Sequence, residues 1–204
     1  MIEITKNGWI KLPQYILNKL DWQEKDLLFF QQNKNSLLLY KKETNKPTLF
    51  IRCFGHFSVE YNNKEILIKN KKLKEMLAFL ASSNNEFVNK WTIAQQLWPD
   101  SPKNKAMDCL YKVLNYFSKG DSIFREIPVE IYREQIRMCL APHQLDIKLF
   151  EILIAVAESP VSWMTALELY RGGFLEFEYY EWSIMLQMKY EIQLDILKKI
   201  IENY

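Results

Sequence analysis

The order of predicted elements between Leu49 and Leu140 restricts the fold more than any other feature of this sequence. Three short strand patterns come first, three amphipathic helix patterns follow, and a β-hairpin pattern closes the segment. Three helices between two small antiparallel sheets must bury their apolar stripes against each other and against the sheets. The segment therefore predicts an α+β domain.

The first helices are defined by apolar spacing and by capping residues. Leu73, Met76, Leu77 and Leu80 recur at helical spacing and predict one buried stripe. The full set of predictions is strands over Leu49–Phe54, His56–Tyr61 and Glu65–Ile68, a helix from Lys71 to about Ser82 capped by Asn70, and a second helix after Asn89 that stops at Pro99.

A longer third helix is predicted to start at Ser101-Pro102, with serine as the cap and proline at the first helical position. Gly120 is expected to end it in a left-handed conformation. Lysine binds phosphate or guanine, asparagine pairs with adenine, and tyrosine reaches backbone oxygens. A solvated helix surface has similar residues, but the surrounding order of elements favours DNA. We expect a recognition helix over about 102–119, with DNA contacts from Lys103, Lys105, Lys112, Asn115, Tyr116 and Lys119.

The closing hairpin, at about 127–140, is predicted to form a wing beside this helix. Ile127, Val129 and Ile131 alternate on one strand, and Ile136, Met138 and Leu140 alternate on its partner. The predicted tip is Arg133-Glu134-Gln135. A basic wing next to a groove-reading helix suits contacts with the neighbouring DNA backbone. We expect Arg133 and Arg137 to make those contacts.

Two motifs and the long third helix resemble the OmpR-type winged helix of SARP-class bacterial activators. The motifs are Phe54-Gly55-His56-Phe57 and Leu97-Trp98-Pro99-Asp100, of which the second is specific for that class. The resemblance implies a winged-helix DNA-binding domain over 49–143. The class commonly has an arginine-rich run late in the recognition helix, whereas this sequence has Asn115-Tyr116-Phe117-Ser118.

Residues 1–45 are predicted to form a separate β module. The pattern predicts a strand at Ile2–Ile4, a turn at Asn7-Gly8, a helix from Gln14 to Leu20 and a hairpin around Asn33–Ser36. The two hairpin strands are apolar on both faces, and so short a unit cannot cover them by itself. This favours dimerisation through the module. Packing against the second domain of the same chain is the alternative.

The core Gly8-x-Ile10-x-Leu12-Pro13 of this module resembles the swapped hairpin of AbrB-type regulators and MazE-type antitoxins. The resemblance covers about residues 1–42 and implies an intertwined homodimer that binds DNA through basic residues. Trp9 stands where the family has a basic residue, and Lys25 where it has glycine. Dimerisation is therefore the main expectation, with Lys6, Lys11 and Lys19 as further DNA contacts.

The last third, residues 144–204, is predicted to be helical. Helices are expected from Asp146 to Ala157 and from about Tyr179 to Asn203. The motif Ala166-Leu167-x-Leu169-Tyr170-x-Gly172-x-Phe174-Leu175, followed by Glu181-Trp182, resembles the opening of the bacterial transcriptional activator domain, a tetratricopeptide-like helical repeat. The final helix is apolar nearly all round, which requires a second subunit, a folded-back domain or further helices as cover.

Composition narrows the functional class further. The three cysteines are isolated and are interpreted as small buried side chains in a reducing compartment, so we expect a cytoplasmic protein. His56 and His143 lack metal-ligand spacing, and no phosphate loop or nucleophile motif occurs. No enzyme activity, cofactor, metal or membrane contact is therefore expected.

Charge separates the parts of the chain. Residues 1–48 carry eight lysines against five acidic residues, residues 49–143 carry 14 basic against 10 acidic residues, and residues 144–204 carry five basic against 10 acidic residues. The first two thirds suit a polyanion and the last third does not. The main hypothesis is a homodimeric regulator that binds double-stranded DNA. The alternative is an adaptor that keeps the scaffold but binds RNA polymerase or another regulator.

Overall fold

The computed structural model of the protein describes the backbone of residues 3–4, 10–20, 22, 28–33, 36–41, 49–156 and 160–202. Side chains are described for 12–18, 22, 49–155 and 162–202. The chain divides into two compact units, Met1–Lys46 and Pro47–Tyr204. The structure has an α+β architecture, with helices and small antiparallel sheets.

The first unit contains two small antiparallel sheets and one helix. Its elements are β1 (Glu3–Ile4), β2 (Ile10–Lys11), α1 (Gln14–Leu20), β3 (Leu28–Asn33) and β4 (Ser36–Lys41). β1 pairs with β2, and β3 pairs with β4 in a register that places Asn33 opposite Ser36. The predicted helix and hairpin are confirmed; the expected turn at Asn7-Gly8 lies outside the described residues.

The second unit begins with the sheet and helices that the sequence predicts. Its first part comprises β5 (Leu49–Arg52), β6 (Ser58–Tyr61), β7 (Lys64–Glu65), α2 (Lys71–Ala81), β8 (Val88–Asn89), α3 (Lys90–Leu97), α4 (Lys103–Lys119), a 3-10 turn (Ser122–Glu126), β9 (Val129–Tyr132) and β10 (Gln135–Met138). β6 lies between β5 and β7. All three predicted strands, over Leu49–Phe54, His56–Tyr61 and Glu65–Ile68, are shorter than expected.

Helix α2 lies at the centre of the core. The Asn70 side chain accepts a hydrogen bond of 3.0 Å from the backbone N–H of Leu73, so the predicted cap is confirmed. All four predicted core residues of α2 are fully buried: Leu73, Met76, Leu77 and Leu80. The helical spacing in the sequence therefore identified the buried face correctly.

The wing sheet has three strands, in the order β8-β10-β9. The sequence pattern did not predict β8, because a two-residue strand is too short to show alternation. On β10, Ile136 and Met138 are buried as expected. On the edge strand β9, Ile131 is 50% exposed.

The C-terminal helices share a core with the sheet of β5, β6 and β7, which we call the first sheet. They comprise a 3-10 turn (Pro142–Gln144), α5 (Asp146–Val156), α6 (Pro160–Leu169), a further 3-10 turn (Glu181–Ser183) and α7 (Ile184–Glu202). Phe54, two residues after β5, lies within 5.3 Å, centroid to centroid, of the rings of Phe150, Tyr170 and Tyr190. Gly55 donates a backbone hydrogen bond to Gly173, and Leu175 donates one to Cys53.

A buried carboxylate completes this junction. Asp146, at the start of α5, is 1% exposed. Its oxygens accept hydrogen bonds of 2.7–2.9 Å from the backbone N–H groups of Cys53, Phe54 and Ile147. These donors would otherwise be buried without partners, so Asp146 joins the helices to the first sheet.

Helix α7 departs from the sequence prediction at its start. The expected helix began near Tyr179, but α7 begins at Ile184, after the 3-10 turn. The interpretation of all three cysteines as buried was also wrong for Cys139, which is exposed, and Cys109 is only half-buried. Within the described ranges, no helix combines the length and the low polarity that crossing a bilayer requires.

Candidate nucleic-acid interface

Helices α3 and α4 form a helix-turn-helix pair. The Asn89 side chain accepts a hydrogen bond of 2.8 Å from the N–H of Trp91 and caps α3. α3 ends at Leu97, and the turn that follows is closed by the N–H of Ser101, which donates to the carbonyl of Trp98. Ile93, Ala94 and Leu97 of α3 and Ala106 and Leu110 of α4 are buried. This packing leaves the opposite face of α4 open.

The start of α4 differs from the prediction. Pro102 was expected at the first helical position with Ser101 as the cap, but α4 begins at Lys103. Pro102 itself is the cap residue, with ψ of 145°, and no side-chain hydrogen bond closes the helix end. The proline ring fixes φ but leaves ψ free, so it suits the residue before a helix as well as the first one inside it.

Five of the predicted DNA contacts share one face of α4. At 100° per residue, Lys105, Lys112, Asn115, Tyr116 and Lys119 fall within about 100° of the helix circumference. All five are exposed, and Asp108 lies in the same sector. The face therefore combines three ammonium groups, an amide and a phenol, the groups that bind phosphates and base edges.

Lys103, the sixth predicted contact on α4, points elsewhere. Its ammonium lies 5.2 Å from the ring centroid of Trp91 on α3, a cation–π contact. The sequence spacing alone indicates this, because position 103 falls nearly opposite the face that contains Lys112. Lys103 is exposed, but it is separated from the other five residues.

Gly120 ends α4 in a different way from the one expected. Its φ of −71° and ψ of −161° are extended, so the left-handed prediction was wrong. A Cβ at this position would lie 2.7 Å from Cδ2 of Phe124 and 2.8 Å from the carbonyl oxygen of Tyr116. The ring of Phe124 is buried and also stacks on Phe117. Glycine is therefore required by the close approach of this ring and not by φ.

We expect Gly120→Ala to lower the free energy of unfolding by about 1–3 kcal/mol, because the added methyl group overpacks a buried site. Urea denaturation measures the change. Gly173→Ala is the matched control: its Cβ would meet its nearest neighbours at 3.6 Å or more, so a change below about 0.5 kcal/mol is expected. Equal effects of the two substitutions would contradict the packing explanation.

Of the two arginines predicted on the wing, Arg133 is exposed and Arg137 is held in an ion pair within the wing. Arg133 and Glu134 form a two-residue tip, since Tyr132 already pairs with Gln135. Arg133 is exposed and has φ of 52°, a conformation that a non-glycine residue rarely adopts. Arg137 is only half-buried, but its guanidinium donates twice to Glu130 Oε2, at 2.7 and 2.9 Å, and covers the ring of Phe87. Of these two arginines, Arg133 is therefore the one that can bind DNA without first breaking an ion pair of the wing.

Lys90 was missed by the sequence interpretation. It is 8% exposed at the first position of α3, and its ammonium lies 3.8 Å from Oε1 of Glu134 and 5.5 Å from the ring centroid of Tyr111. Its backbone N–H also donates to the carbonyl of Glu134. Lys90 thus connects the wing tip to α3 and α4. A lysine at a helix N-terminus gives no sequence signal for this role.

The other candidate residues provide less evidence for a functional site. The expected N-terminal DNA contacts are not described: Lys6 lies outside the described residues, and the side chains of Lys11 and Lys19 are not described either. Among the side chains that the structure describes, no three histidine, cysteine or acidic groups come together as metal ligands. His56 lies 3.5 Å from Glu178 and 3.2 Å from the ammonium of Lys74, in a local polar contact.

Neither a scan of known protein families nor a search of curated proteins gave a match. Among solved structures, the chain is similar to Mycobacterium tuberculosis EmbR, determined in complex with a low-affinity phosphopeptide. The TM-score is 0.62 at 14% sequence identity, over 76% of this chain and 45% of the EmbR chain. The chain thus spans less than half the length of that neighbour. Its fold is α+β, winged-helix-like, and similar to that of EmbR.

Proposed function

We propose that this protein is a non-enzymatic, homodimeric transcription regulator of the cytoplasm that binds specific double-stranded DNA sequences. α4 enters the major groove, and the wing formed by β9 and β10 contacts the flanking backbone. The observation that carries this proposal is the exposed face of α4, which presents Lys105, Lys112, Asn115 and Lys119, together with an exposed Arg133 at the wing tip. The likeness to EmbR supports the scaffold.

The individual contacts follow from side-chain chemistry. Lys105 and Lys119, near the two ends of the face, bind phosphates, while Lys112 and Asn115 at its centre read base edges. Tyr116 is 42% exposed and reaches the sugar–phosphate backbone, and Arg133 enters the adjacent groove. Lys103 and Arg137 belong to the predicted set, but each has to leave an internal partner before it binds DNA.

The homodimer is assigned to residues 1–45, as a swapped hairpin of the AbrB type. Two copies require paired half-sites in the operator. Lys6, Lys11 and Lys19 add phosphate contacts from this module. The wing and recognition helix lie in 49–143, and residues 144–204 form the start of a tetratricopeptide-like activator domain.

The proposal is tested by binding to random duplex DNA at increasing salt. Neutralisation of about four or five phosphates predicts that the logarithm of the association constant falls with the logarithm of salt concentration, with a slope of roughly −4. Fluorescence anisotropy measures this slope. Binding that is negligible at every salt concentration would contradict the proposal. Selection from a random duplex pool then identifies the operator.

A second candidate function is an adaptor that binds RNA polymerase or another regulator. The observation that favours it is the wing, where Ile131 is 50% and Tyr132 57% exposed on neighbouring positions. Exposed apolar side chains of this size suit a protein contact more than a DNA backbone. The excess of acidic residues in 144–204 also suits a protein partner. The same salt titration separates the two functions.

A further inference from the structure

The outward face of α7 carries five large apolar side chains. Their exposed fractions lie between 41% and 74%, and they are Met185, Met188, Ile192, Ile196 and Ile200. At 100° per residue they fall within about 120° of the helix circumference, so they form one stripe. The opposite side of α7 packs into the core through Tyr190 and Leu197. We call the five exposed residues the α7 stripe.

The α7 stripe is nearly symmetric along the helix. Met188 lies four positions before Ile192 and Ile196 lies four positions after it, while Met185 and Ile200 lie seven before and eight after. In an antiparallel pair centred on Ile192, Met188 faces Ile196 of the second copy and Ile200 faces Ile184, which is 53% exposed, while Met185 lies level with Lys199. A two-fold interface requires this self-complementarity. Antiparallel packing also sets the helix dipoles in opposite directions.

The exposed area also fits a second copy. Each side chain of the stripe exposes on the order of 100 Å² of apolar surface, so one helix offers about 500 Å². Two copies would then bury about 1,000 Å² in total, which is near the lower bound for a specific protein–protein interface. Lys189 and Lys199 fall in the same sector at 100° per residue, and their long side chains can keep the ammonium groups in water at the edge of the contact.

We propose that two copies of this protein associate through antiparallel α7 helices, with the two Ile192 side chains facing each other at the two-fold axis. This contact is separate from the swapped hairpin assigned to residues 1–45 and does not depend on DNA binding. It pairs Met188 of one copy with Ile196 of the other. A helix from a different protein, or from a longer form of this chain, would not produce this pairing.

Disulfide trapping tests the register. In a full-length background with Cys109→Ser and Cys139→Ser, the variants Met188→Cys and Ile196→Cys are mixed in equal amounts and oxidised by molecular oxygen. We expect the mixed disulfide between the two variants to form at least about ten times faster than either self-disulfide. Lys198→Cys, an exposed position of α7 outside the stripe, is the control and should not cross-link. Predominant self-disulfides, or none, would overturn the antiparallel pairing.

A substitution at the axis provides the second test. Ile192→Glu, added to both cysteine variants, places two carboxylates against each other and is expected to remove the mixed disulfide. Lys198→Glu makes an acidic change of the same kind on another face and should leave the yield unchanged. Persistence of the disulfide when both copies carry Ile192→Glu would overturn the proposal. The DNA-binding assay described above is read separately, so failure of one proposal is distinguishable from failure of the other.

Discussion

Replacing Lys112 by glutamate is expected to weaken sequence-specific DNA binding at least about 100-fold while leaving the fold intact. Lys112 is exposed at the centre of the α4 face, and among the described residues it forms no salt bridge. Reversal of its charge removes a base or phosphate contact and adds a carboxylate that repels the DNA backbone. The dissociation constant for the selected operator measures the effect.

The control for this experiment is Lys198→Glu, which makes the same change of charge on α7 and should alter affinity less than about threefold. Circular dichroism and urea denaturation are expected to show that the free energy of unfolding of Lys112→Glu is within about 0.5 kcal/mol of the wild-type value. Wild-type affinity in the folded Lys112→Glu variant would contradict the role of α4 as the reading helix. The adaptor function would then be favoured.

Removing the carboxylate of Asp146 is expected to have the largest effect on stability. Asp146→Ala leaves the buried N–H groups of Cys53, Phe54 and Ile147 without acceptors, and it opens the junction between the first sheet and α5. We expect a loss of about 3 kcal/mol in the free energy of unfolding. Urea denaturation at neutral pH measures it, with Asp195→Ala, an exposed position on α7, as the control.

The same carboxyl makes stability depend on pH. Burial raises the pKa of Asp146 from 3.8 to about 6, although hydrogen bonds from the backbone and the charge of Arg52 act in the opposite direction. Because the folded protein holds this proton more tightly than the unfolded chain, its contribution is greatest below about pH 4 and is lost as the pH rises through 6. The loss is at most about 3 kcal/mol.

Asp146→Asn separates this contribution from other titrations, because an amide does not ionise in this range. The difference in free energy of unfolding between the wild type and Asp146→Asn should fall as the pH is raised from 4 to 7. A constant difference across this range would show that folding does not raise the pKa of Asp146. The hydrogen bonds would then offset burial.

Much of the second unit could be predicted from the sequence because its signals are local. Apolar spacing identified α2 and its buried face, Asn70 was readable as its cap, and the extent of α4 was right within one residue at its start. The errors arose at positions where a tertiary contact, and not the local sequence, determines the conformation. Gly120 has the residue type of a left-handed stop, but the ring of Phe124 decides its conformation.

The candidate site was predicted less completely than the fold. Helical spacing was sufficient to place Lys105, Lys112, Asn115 and Lys119 on one face, since the geometry of a single helix fixes their relative positions. It could not show that Arg137 pairs with Glu130 or that Lys90 meets Glu134, because those contacts depend on strand register. Asp146 was placed correctly at a helix start. The sequence gives no indication of its hydrogen bonds to Cys53 and Phe54, which lie more than 90 positions away.

The aromatic cluster around Phe54 has a consequence for how the molecule can be divided. The boundary near residue 143 that composition suggests would separate Phe54 from Phe150, Tyr170 and Tyr190, the rings that enclose it. A fragment that ends there would expose the Phe54 side chain. It would also leave the backbone N–H groups of Cys53 and Phe54 without their acceptor, the Asp146 carboxylate. The β5–β6–β7 sheet and helices α5 to α7 therefore share one core, and a substitution that loosens these helices also removes the packing partners of Phe54 and the acceptor of the Cys53 and Phe54 amides.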